Sequence, residues 1–148
     1  REKHRVNGGE RWVCVHRKGA TRAFPPGHPH VPEAYRHVGQ PVLIPGDMGR
    51  GSYVLVGTQR AMDETWGTAC HGAGRVMSRT QAKKAVQGRS IERDLLELGV
   101  IVKGQGWASL AEEVPQAYKD VSHVVEVVHG AGISHKVAKL RPLGVIKG

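Results

Sequence analysis

Two short apolar segments flank a glycine-rich turn in the stretch Pro41-Val-Leu-Ile-Pro-Gly-Asp-Met-Gly-Arg-Gly-Ser-Tyr-Val-Leu-Val-Gly57. The segments Pro41 to Ile44 and Ser52 to Gly57 are rich in β-branched and aromatic residues, which predicts two strands. The intervening Asp47-Met48-Gly49-Arg50-Gly51 predicts a turn, because glycine adopts backbone conformations that other residues avoid. Further strands are expected at Arg11 to His16 and Val100 to Val102, and extended chain from Val137 to Ile146.

The second half of the chain carries helix signals. Ser78 to Val86 predicts a basic helix, and Ser90 can cap a second helix that ends at Gly99. Ser109-Leu-Ala-Glu112 fits a capping box, in which the serine would precede the first helical residue. Asp120 can cap a last helix, whose apolar face is formed by Val121, Val124, Val125 and Val128. Strands and helices do not alternate regularly, so we expect an α+β fold with a mixed sheet and packed helices, in which residues 1–148 form a single segment.

Composition and charge narrow the classes of partner. The 148 residues, 39% of them hydrophobic, are enough for one domain with a core. A net charge of +9 favours a polyanionic partner, nucleic acid or nucleotide first, although a merely basic surface gives the same balance. No long apolar run or basic amphipathic helix indicates a membrane. The two cysteines form no C-x-x-C motif, which fits a reducing, cytoplasmic location, and Cys14 reads as a buried strand residue.

The segment Cys70-His71-Gly72-Ala73-Gly74-Arg75 combines groups suited to phosphate chemistry. His71 can act as a nucleophile or as an acid or base. Consecutive amides in a glycine-rich turn can cradle an anion, and the arginine can donate two hydrogen bonds to phosphate oxygens. The pattern therefore indicates phosphoryl or nucleotidyl transfer, although glycine-rich turns are common and a lone histidine is more often structural.

Other polar groups carry weaker signals. The basic loop from His16 to Arg22 could bind phosphates or could simply be solvated. His28 and His30 form a His-x-His pair among prolines, which favours an exposed loop over a metal site. Asp63 and Glu64 are read as the polar face of a short helix rather than as partners of His71. On pattern alone, the Pro45 to Ser52 stretch is as compatible with a plain turn as with a nucleotide loop.

Taken in order, the motifs closely resemble the C-terminal part of the RtcB-type RNA-splicing ligases. The resemblance rests on His16-Arg-Lys-Gly-Ala-Thr-Arg-Ala-Phe-Pro-Pro26, Pro45-Gly-x-Met-Gly49 with Ser52-Tyr53, and Glu64-Thr-x-Gly-Thr-x-Cys-His-Gly-Ala-Gly-Arg75. It continues in Glu113-x-Pro-x-Ala-Tyr-Lys-Asp-Val121 and His129-Gly-Ala-Gly-Ile-Ser134, and closes with Lys139-Leu-Arg-Pro-Leu-Gly-Val-Ile-Lys-Gly148. It covers nearly the whole chain.

The resemblance implies a ligase that joins an RNA 3′-phosphate or 2′,3′-cyclic phosphate to a 5′-hydroxyl, in tRNA splicing and RNA repair, with GTP and manganese. His71 matches the histidine that becomes guanylylated and passes GMP to the RNA 3′-phosphate before the 5′-hydroxyl attacks. The positions that match the family's nucleotide-binding residues are Pro45, Gly46, Asp47, Met48, Ser52, His71, Gly72, Ala73, Gly74, Tyr118 and Lys147. The candidates for contacts with RNA or phosphate are Arg17, Lys18, Arg22 and Arg75.

The resemblance also implies limits. Asp47 stands where many relatives are expected to have serine or threonine, and Arg50 can compensate for its charge. The family's metal ligands are expected upstream of this segment, so the resemblance assigns no metal ligand to residues 1–148. We therefore expect the isolated segment to have exposed strand edges, to fold incompletely and to show little ligase activity. An activating partner such as archease is compatible with this interpretation. The alternatives are a non-enzymatic, basic RNA-binding module with a vestigial pocket and a histidine-dependent phosphohydrolase.

Overall fold

The computed structural model describes residues 1–147, which form nine strands and five α-helices. The strands are β1 (Glu2–Val6), β2 (Gly9–Val13), β3 (Ala20–Arg22), β4 (Pro41–Asp47), β5 (Gly51–Gly57), β6 (Thr68–Cys70), β7 (Ile101–Gly104), β8 (Ser134–Leu140) and β9 (Gly144–Lys147). The helices are α1 (Gln59–Thr65), α2 (Arg79–Ala85), α3 (Ile91–Glu97), α4 (Trp107–Glu112) and α5 (Val121–Gly130). Single 3-10 turns lie at Glu33–Tyr35 and Pro115–Ala117. The α+β class predicted from the sequence is confirmed.

A three-stranded antiparallel sheet of order β4-β5-β8 supports the first core. Strands β4 and β5 form a hairpin in which Val42 faces Leu55, and β8 pairs with the other edge of β5. Helix α5 packs on this sheet through Val121 and Val125, both fully buried. The predicted N-cap of α5 is confirmed, because the Asp120 carboxylate accepts a hydrogen bond from the amide of Ser122 at 2.7 Å. The apolar segments of the sequence therefore build a sheet covered by one helix.

A second core lies among α2, α3 and α4 and the parallel pair β7-β9. Ser78 and Gln81 cap α2 reciprocally. Ser90 stands at the N-cap of α3 without a capping hydrogen bond from its side chain, and Ile91 and Leu95 are the buried residues of this helix. Met48, from the turn between β4 and β5, is only 4% exposed and belongs to this core. The turn is therefore anchored between the two cores. None of the helices in residues 1–147 has the length and apolar character that a membrane span requires.

Two small antiparallel pairs complete the described residues. The hairpin β1-β2 lies at the start of the chain, and β3 pairs with β6, with Ala20 opposite Cys70. Strand β6 leads directly to His71. The β3-β6 pair therefore links the predicted basic loop to the predicted nucleophile through the backbone.

Two local predictions are wrong. The strand predicted at Arg11 to His16 is β2, which ends at Val13 and leaves Cys14 exposed, because its partner β1 begins at Glu2 and offers no pairing beyond Val13. Helix α4 begins after Gly106, so Ser109 lies inside the helix and is not its cap. The extended chain predicted from Val137 to Ile146 is confirmed as two strands, and these join different sheets, β8 against β5 and β9 against β7.

Candidate nucleotide-binding site

Two adjoining clefts share the residues Pro45, Gly46, Tyr118 and Lys147 as a common wall. The first cleft, of about 190 Å³, is completed by Asp47, Met48, Ser52, Glu113 and Val145. The second, of about 520 Å³, is completed by His71, Gly72, Ala73, Gly74 and Arg75. The fold thus gathers in one place every residue that the sequence predicted to bind the nucleotide, although these residues lie up to a hundred positions apart.

Tight packing brings the two glycine-rich segments together. The amide of Ala73 donates to the carbonyl oxygen of Pro45 at 3.0 Å. A Cβ atom on Gly46 would lie 2.1 Å from the carbonyl oxygen of Gly51 and 2.8 Å from a methyl carbon of Val121, so no side chain fits there. The strand pairing shifts register between Pro45 and Asp47, so the regular ladder is interrupted at Gly46. Glycine at position 46 is therefore required by close approach.

The Asp47 carboxylate is bonded within the hairpin turn and does not present a free negative charge to the cleft. Its side chain is fully buried, and Oδ1 accepts the amides of Gly49 and Arg50 at 3.0 and 2.9 Å. Oδ2 pairs with Nε of Arg50 at 2.5 Å. Arg50 also donates to the carbonyl oxygens of Pro115 and Tyr118, at 2.6 and 3.0 Å. Arg50 therefore compensates Asp47, as expected, and ties the hairpin turn to the segment that carries Tyr118.

His71 is exposed at the end of β6. Within residues 1–147 its ring makes no hydrogen bond, in contrast to His4, His16, His28 and His129. The loop that follows it is held at Ala73 by Pro45 and at Gly74, whose carbonyl oxygen accepts the amide of Lys119 at 3.0 Å. The imidazole is thus accessible on a loop whose backbone is fixed at two points, an arrangement suited to a nucleophile.

Glu113 is a site residue that the sequence reasoning missed. Its carboxylate accepts a short hydrogen bond from the Tyr118 hydroxyl, and Nζ of Lys147 and Nη1 of Arg75 lie 3.4 Å from it. Burial acts to raise the pKa of Glu113, but the Tyr118 hydrogen bond and the Lys147 charge bring this pKa below its usual value. Burial and the Glu113 carboxylate both raise the pKa of Tyr118. At neutral pH the pair is therefore a carboxylate that accepts from a protonated phenol.

Arg75 lies in the wall of the second cleft, with most of its donors used within the chain. Its guanidinium donates to the carbonyl oxygens of Met77 and Glu112, at 3.0 and 2.6 Å, and to the Tyr118 hydroxyl at 2.8 Å. It also lies 4.7 Å from the centre of the Tyr118 ring. These contacts fix Tyr118 and leave little of the guanidinium for an outside phosphate. The sequence could not show this, because Glu112 and Tyr118 lie 37 and 43 residues away from Arg75.

The other three predicted RNA contacts lie apart from the two clefts, beside β3. Arg17 is paired with the Glu2 carboxylate through two bonds of 2.7 Å and donates to the Thr68 hydroxyl at 3.0 Å. This pairing helps lower the pKa of Glu2 to about 2. Lys18 and Arg22 are exposed and make no ion pair with residues 1–147. Of the four predicted RNA or phosphate contacts, only Lys18 and Arg22 therefore present cationic groups that are free of ion pairs among residues 1–147.

The interpretation of Asp63 and Glu64 as the polar face of a short helix is confirmed, whereas of the His28 and His30 pair only His30 is exposed in its loop. Asp63 and Glu64 lie on α1 and are bonded to Gln59 and Arg60, four residues earlier in each case. His28 stacks on Phe24 with ring centres 4.0 Å apart, in a loop. Among the residues that the structure describes, no group of three or more histidine, cysteine, aspartate and glutamate side chains could hold a metal ion.

Comparison with known proteins adds to this geometry. A family model described as tRNA-splicing ligase RtcB matches residues 1–148. Similar proteins, each named tRNA-splicing ligase RtcB, come from Archaeoglobus fulgidus, 60% identical over 147 residues, Thermococcus kodakarensis, 56% over 147, and Methanocaldococcus jannaschii, 54% over 148. The alignments cover 99 to 100% of this chain, but only 30%, 30% and 15% of those relatives.

Proposed function

This chain belongs to the RtcB family, and we propose that it supplies the guanylate-accepting histidine and the nucleotide pocket of an RNA ligase. The observation that carries the proposal is the position of His71, accessible and without an internal hydrogen bond, at the cleft shared by both glycine-rich segments. The exposed His37 also lacks a hydrogen bond among the described residues, so it is the place of His71 in the cleft that distinguishes it. The names of the relatives point to tRNA splicing as the process that this ligase serves.

The chemistry begins with nucleophilic attack by a neutral ring nitrogen of His71 on the α-phosphorus of GTP. A nitrogen–phosphorus bond forms, the bond between the α-phosphorus and the bridging oxygen breaks, and pyrophosphate leaves. An oxygen of the RNA 3′-phosphate then attacks the same phosphorus, and the imidazole leaves as the nitrogen–phosphorus bond breaks. The RNA 5′-hydroxyl finally attacks the activated 3′-phosphate, forms the new phosphodiester and releases GMP.

The chain's own residues hold the nucleotide in this scheme. Within residues 1–147 the amide of Gly74 has no backbone acceptor, whereas the amide of Ala73 is bonded to Pro45 and the amide of Gly72 is hydrogen-bonded to the Cys70 thiol. We therefore assign a phosphate contact to the Gly74 amide and a spacing role to Gly72 and Ala73. Tyr118 and Lys147, which line both clefts, would contact the nucleotide from the opposite wall. Glu113 would act as a positioning residue, because it is bonded to both of these side chains.

Manganese, which the family resemblance implies, finds no suitable set of ligands among residues 1–147. We derive no step through a metal held by this chain. The complete enzyme is proposed to supply the metal ligands from another part of the polypeptide, since the relatives are about three to seven times as long as the matched segment. The substrate, tRNA halves or broken RNA, belongs to the same proposal, as do archease as a partner and a cytoplasmic location.

The test is the intact mass of the complete ligase after incubation with GTP and Mn²⁺. The unsubstituted protein should gain the mass of one GMP, and His71→Ala should gain none. His37→Ala is the matched control, because His37 is also an exposed loop histidine without a hydrogen bond among the described residues, and it should react normally. If the unsubstituted protein forms no adduct but binds RNA, the non-enzymatic RNA-binding module is the better account, an alternative that the net charge of +9 favours.

A further inference from the structure

A second cavity, separate from the two clefts of the nucleotide site, lies where the β1-β2 hairpin meets the loop after β3. It measures about 370 Å³, within the range of small-molecule sites. Five rings line it, and we name it the Trp12 cavity: Trp12, Phe24, His4, His28 and His30. It shares no residue with the cleft pair. A cavity lined by so many flat rings indicates a flat ligand.

Part of this cavity is a fixed aromatic wall. Phe24 is 1% exposed, and it packs so closely on Gly67 that a Cβ atom there would lie 2.5 Å from the Phe24 ring. His28 stacks on Phe24 at 4.0 Å, and His30 meets His28 edge-on at 5.2 Å. Burial lowers the pKa of His28, so its ring is neutral near pH 7. The wall is therefore in place before a ligand arrives, which reduces the entropic cost of binding.

Two groups at this wall lack partners within the chain. Trp12 is 68% exposed, an unusual position for the largest apolar side chain. Nδ1 of His4 is buried and has no hydrogen-bond partner among the described residues, while Nε2 of the same ring is bonded to Glu2 at 2.8 Å. A buried polar atom without a partner calls for an explanation. A ligand with both a ring and polar edges would provide contacts for both residues.

The charge around the Trp12 cavity selects the class of that ligand. The guanidinium of Arg22 lies 5.4 Å from the centre of the Phe24 ring and is exposed without an ion pair among residues 1–147. The negative charge of Glu2 is neutralised by Arg17 at 2.7 Å. Aromatic rings beside a free cation are the combination that binds single-stranded nucleic acid, since bases stack and phosphates pair. An apolar peptide or a lipid chain would leave Arg22 without a partner.

The Trp12 cavity is also connected to His71 through a short, paired segment. Gly67, against which Phe24 packs, precedes His71 by four residues. At the rise of a strand, about 3.3 Å per residue, this corresponds to roughly 13 Å along the chain. β3 pairs with β6 between the two sites. A short stretch of single-stranded RNA can therefore reach from one to the other.

We propose that the Trp12 cavity binds one unpaired nucleobase of the RNA substrate, stacked on Trp12 and His30, a few nucleotides from the end that reacts at His71. This inference rests on the proposed ligase function for its choice of RNA. The Trp12 cavity would be an RNA-binding site in addition to the nucleotide pocket, because the base would be held away from the guanylylated histidine.

The experiment measures the dissociation constant of a short, single-stranded RNA for the complete ligase by fluorescence anisotropy, without GTP. Trp12→Ala and His30→Ala should each weaken binding about 5- to 150-fold, the range typical of a residue on which a base stacks. Leu43→Ala is the control, because Leu43 is 66% exposed, like Trp12, but lies outside the cavity. It should bind RNA normally.

A second measurement separates a lost base contact from a disturbed fold. An RNA series with one abasic position, moved stepwise from the reacting end, should contain one position at which base loss weakens binding to the unsubstituted protein. The same base loss should have no further effect on Trp12→Ala, because the two changes remove one interaction. Trp12→Phe should retain part of the affinity.

The two proposals fail in different ways. If no abasic position couples to Trp12, or if all variants bind RNA within twofold of the unsubstituted protein, the nucleobase site is overturned whatever happens at His71. If the coupling is found but GTP leaves no adduct on His71, the nucleobase site stands and the guanylylation proposal fails. A protein segment as occupant would appear as RNA binding that is insensitive to every substitution in the cavity.

Discussion

The amide of Ala73 donates to the carbonyl oxygen of Pro45 at 3.0 Å, and this bond joins two glycine-rich segments that lie 28 positions apart in the sequence. One segment is a hairpin turn anchored between both cores, and the other is the loop that presents His71. Their contact builds the wall of the proposed nucleotide site. The geometry of the site therefore depends on how tightly the two glycine-rich segments are packed at this contact, which we call the junction.

Gly46→Ala should destabilise the protein, because the new methyl group would meet the Gly51 carbonyl oxygen at 2.1 Å. Overpacking of this kind costs about 1–3 kcal/mol, and more where backbone must move. The thermal unfolding midpoint should fall clearly. Gly9→Ala provides the comparison, since a Cβ atom there has nothing within 4 Å. Equal midpoints for the two variants would show that the junction is looser than described.

Arg50→Ala should weaken GTP binding by leaving the buried Asp47 carboxylate without its cation beside the triphosphate. Arg50 is partly exposed, so we expect a loss of about 1–3 kcal/mol, the value of a charged hydrogen bond. The double variant with Asp47→Asn should recover part of the affinity, because the uncompensated charge is gone. Isothermal titration measures both, and a double variant no better than Arg50→Ala alone would mean that Asp47 does not oppose the phosphates.

Glu113→Gln should slow guanylylation of His71, because Tyr118 and Lys147 lose the carboxylate that holds them in the cleft wall. We expect a loss of about tenfold or more, corresponding to one charged hydrogen bond. Electrostatics alone predicts the opposite, since removing a negative charge would favour a triphosphate. Single-turnover rates at saturating GTP decide between the two, and a faster reaction in the variant would rule out the positioning role.

Glu2 should make stability depend on pH at the acidic end. Its pKa is held at about 2 in the folded protein, chiefly by the hydrogen bond from Arg17, against 4.5 for a free glutamate. Because the folded pKa is depressed, the stabilisation is complete above about pH 4.5 and disappears as the pH falls toward 2. Glu2→Gln should lower the unfolding midpoint at neutral pH, and the difference from the unsubstituted protein should shrink on acidification. A difference that is constant with pH would show that the ion pair is not its source.

The sequence predicted features that depend on local signals. The cap of α5 and the apolar strands around the glycine-rich turn follow from neighbouring residues, and the structure has them. The family resemblance also named most residues of both clefts, but not Glu113 or Val145. Pairing between distant strands has no local signal in the sequence. The sequence therefore does not predict that β8 pairs with β5 while β9 pairs with β7.

Side-chain partners across long separations were equally hidden. Arg75 follows a glycine-rich loop and looks like a phosphate ligand, but its partners Glu112 and Tyr118 lie far along the chain. Glu113 stands in one of the motifs of the resemblance, but nothing close to it in the sequence marks it as a site residue. The folded chain shows its role, because Tyr118 and Lys147 both bond to its carboxylate.

The most direct test of the central claim is to digest the guanylylated ligase and map the GMP adduct by mass spectrometry, under alkaline conditions that preserve a phosphoramidate. The account predicts a single modified residue, His71, and loss of the modification when RNA with a 3′-phosphate is added. An adduct on Lys147, on another residue of the cleft, or on none at all would contradict it.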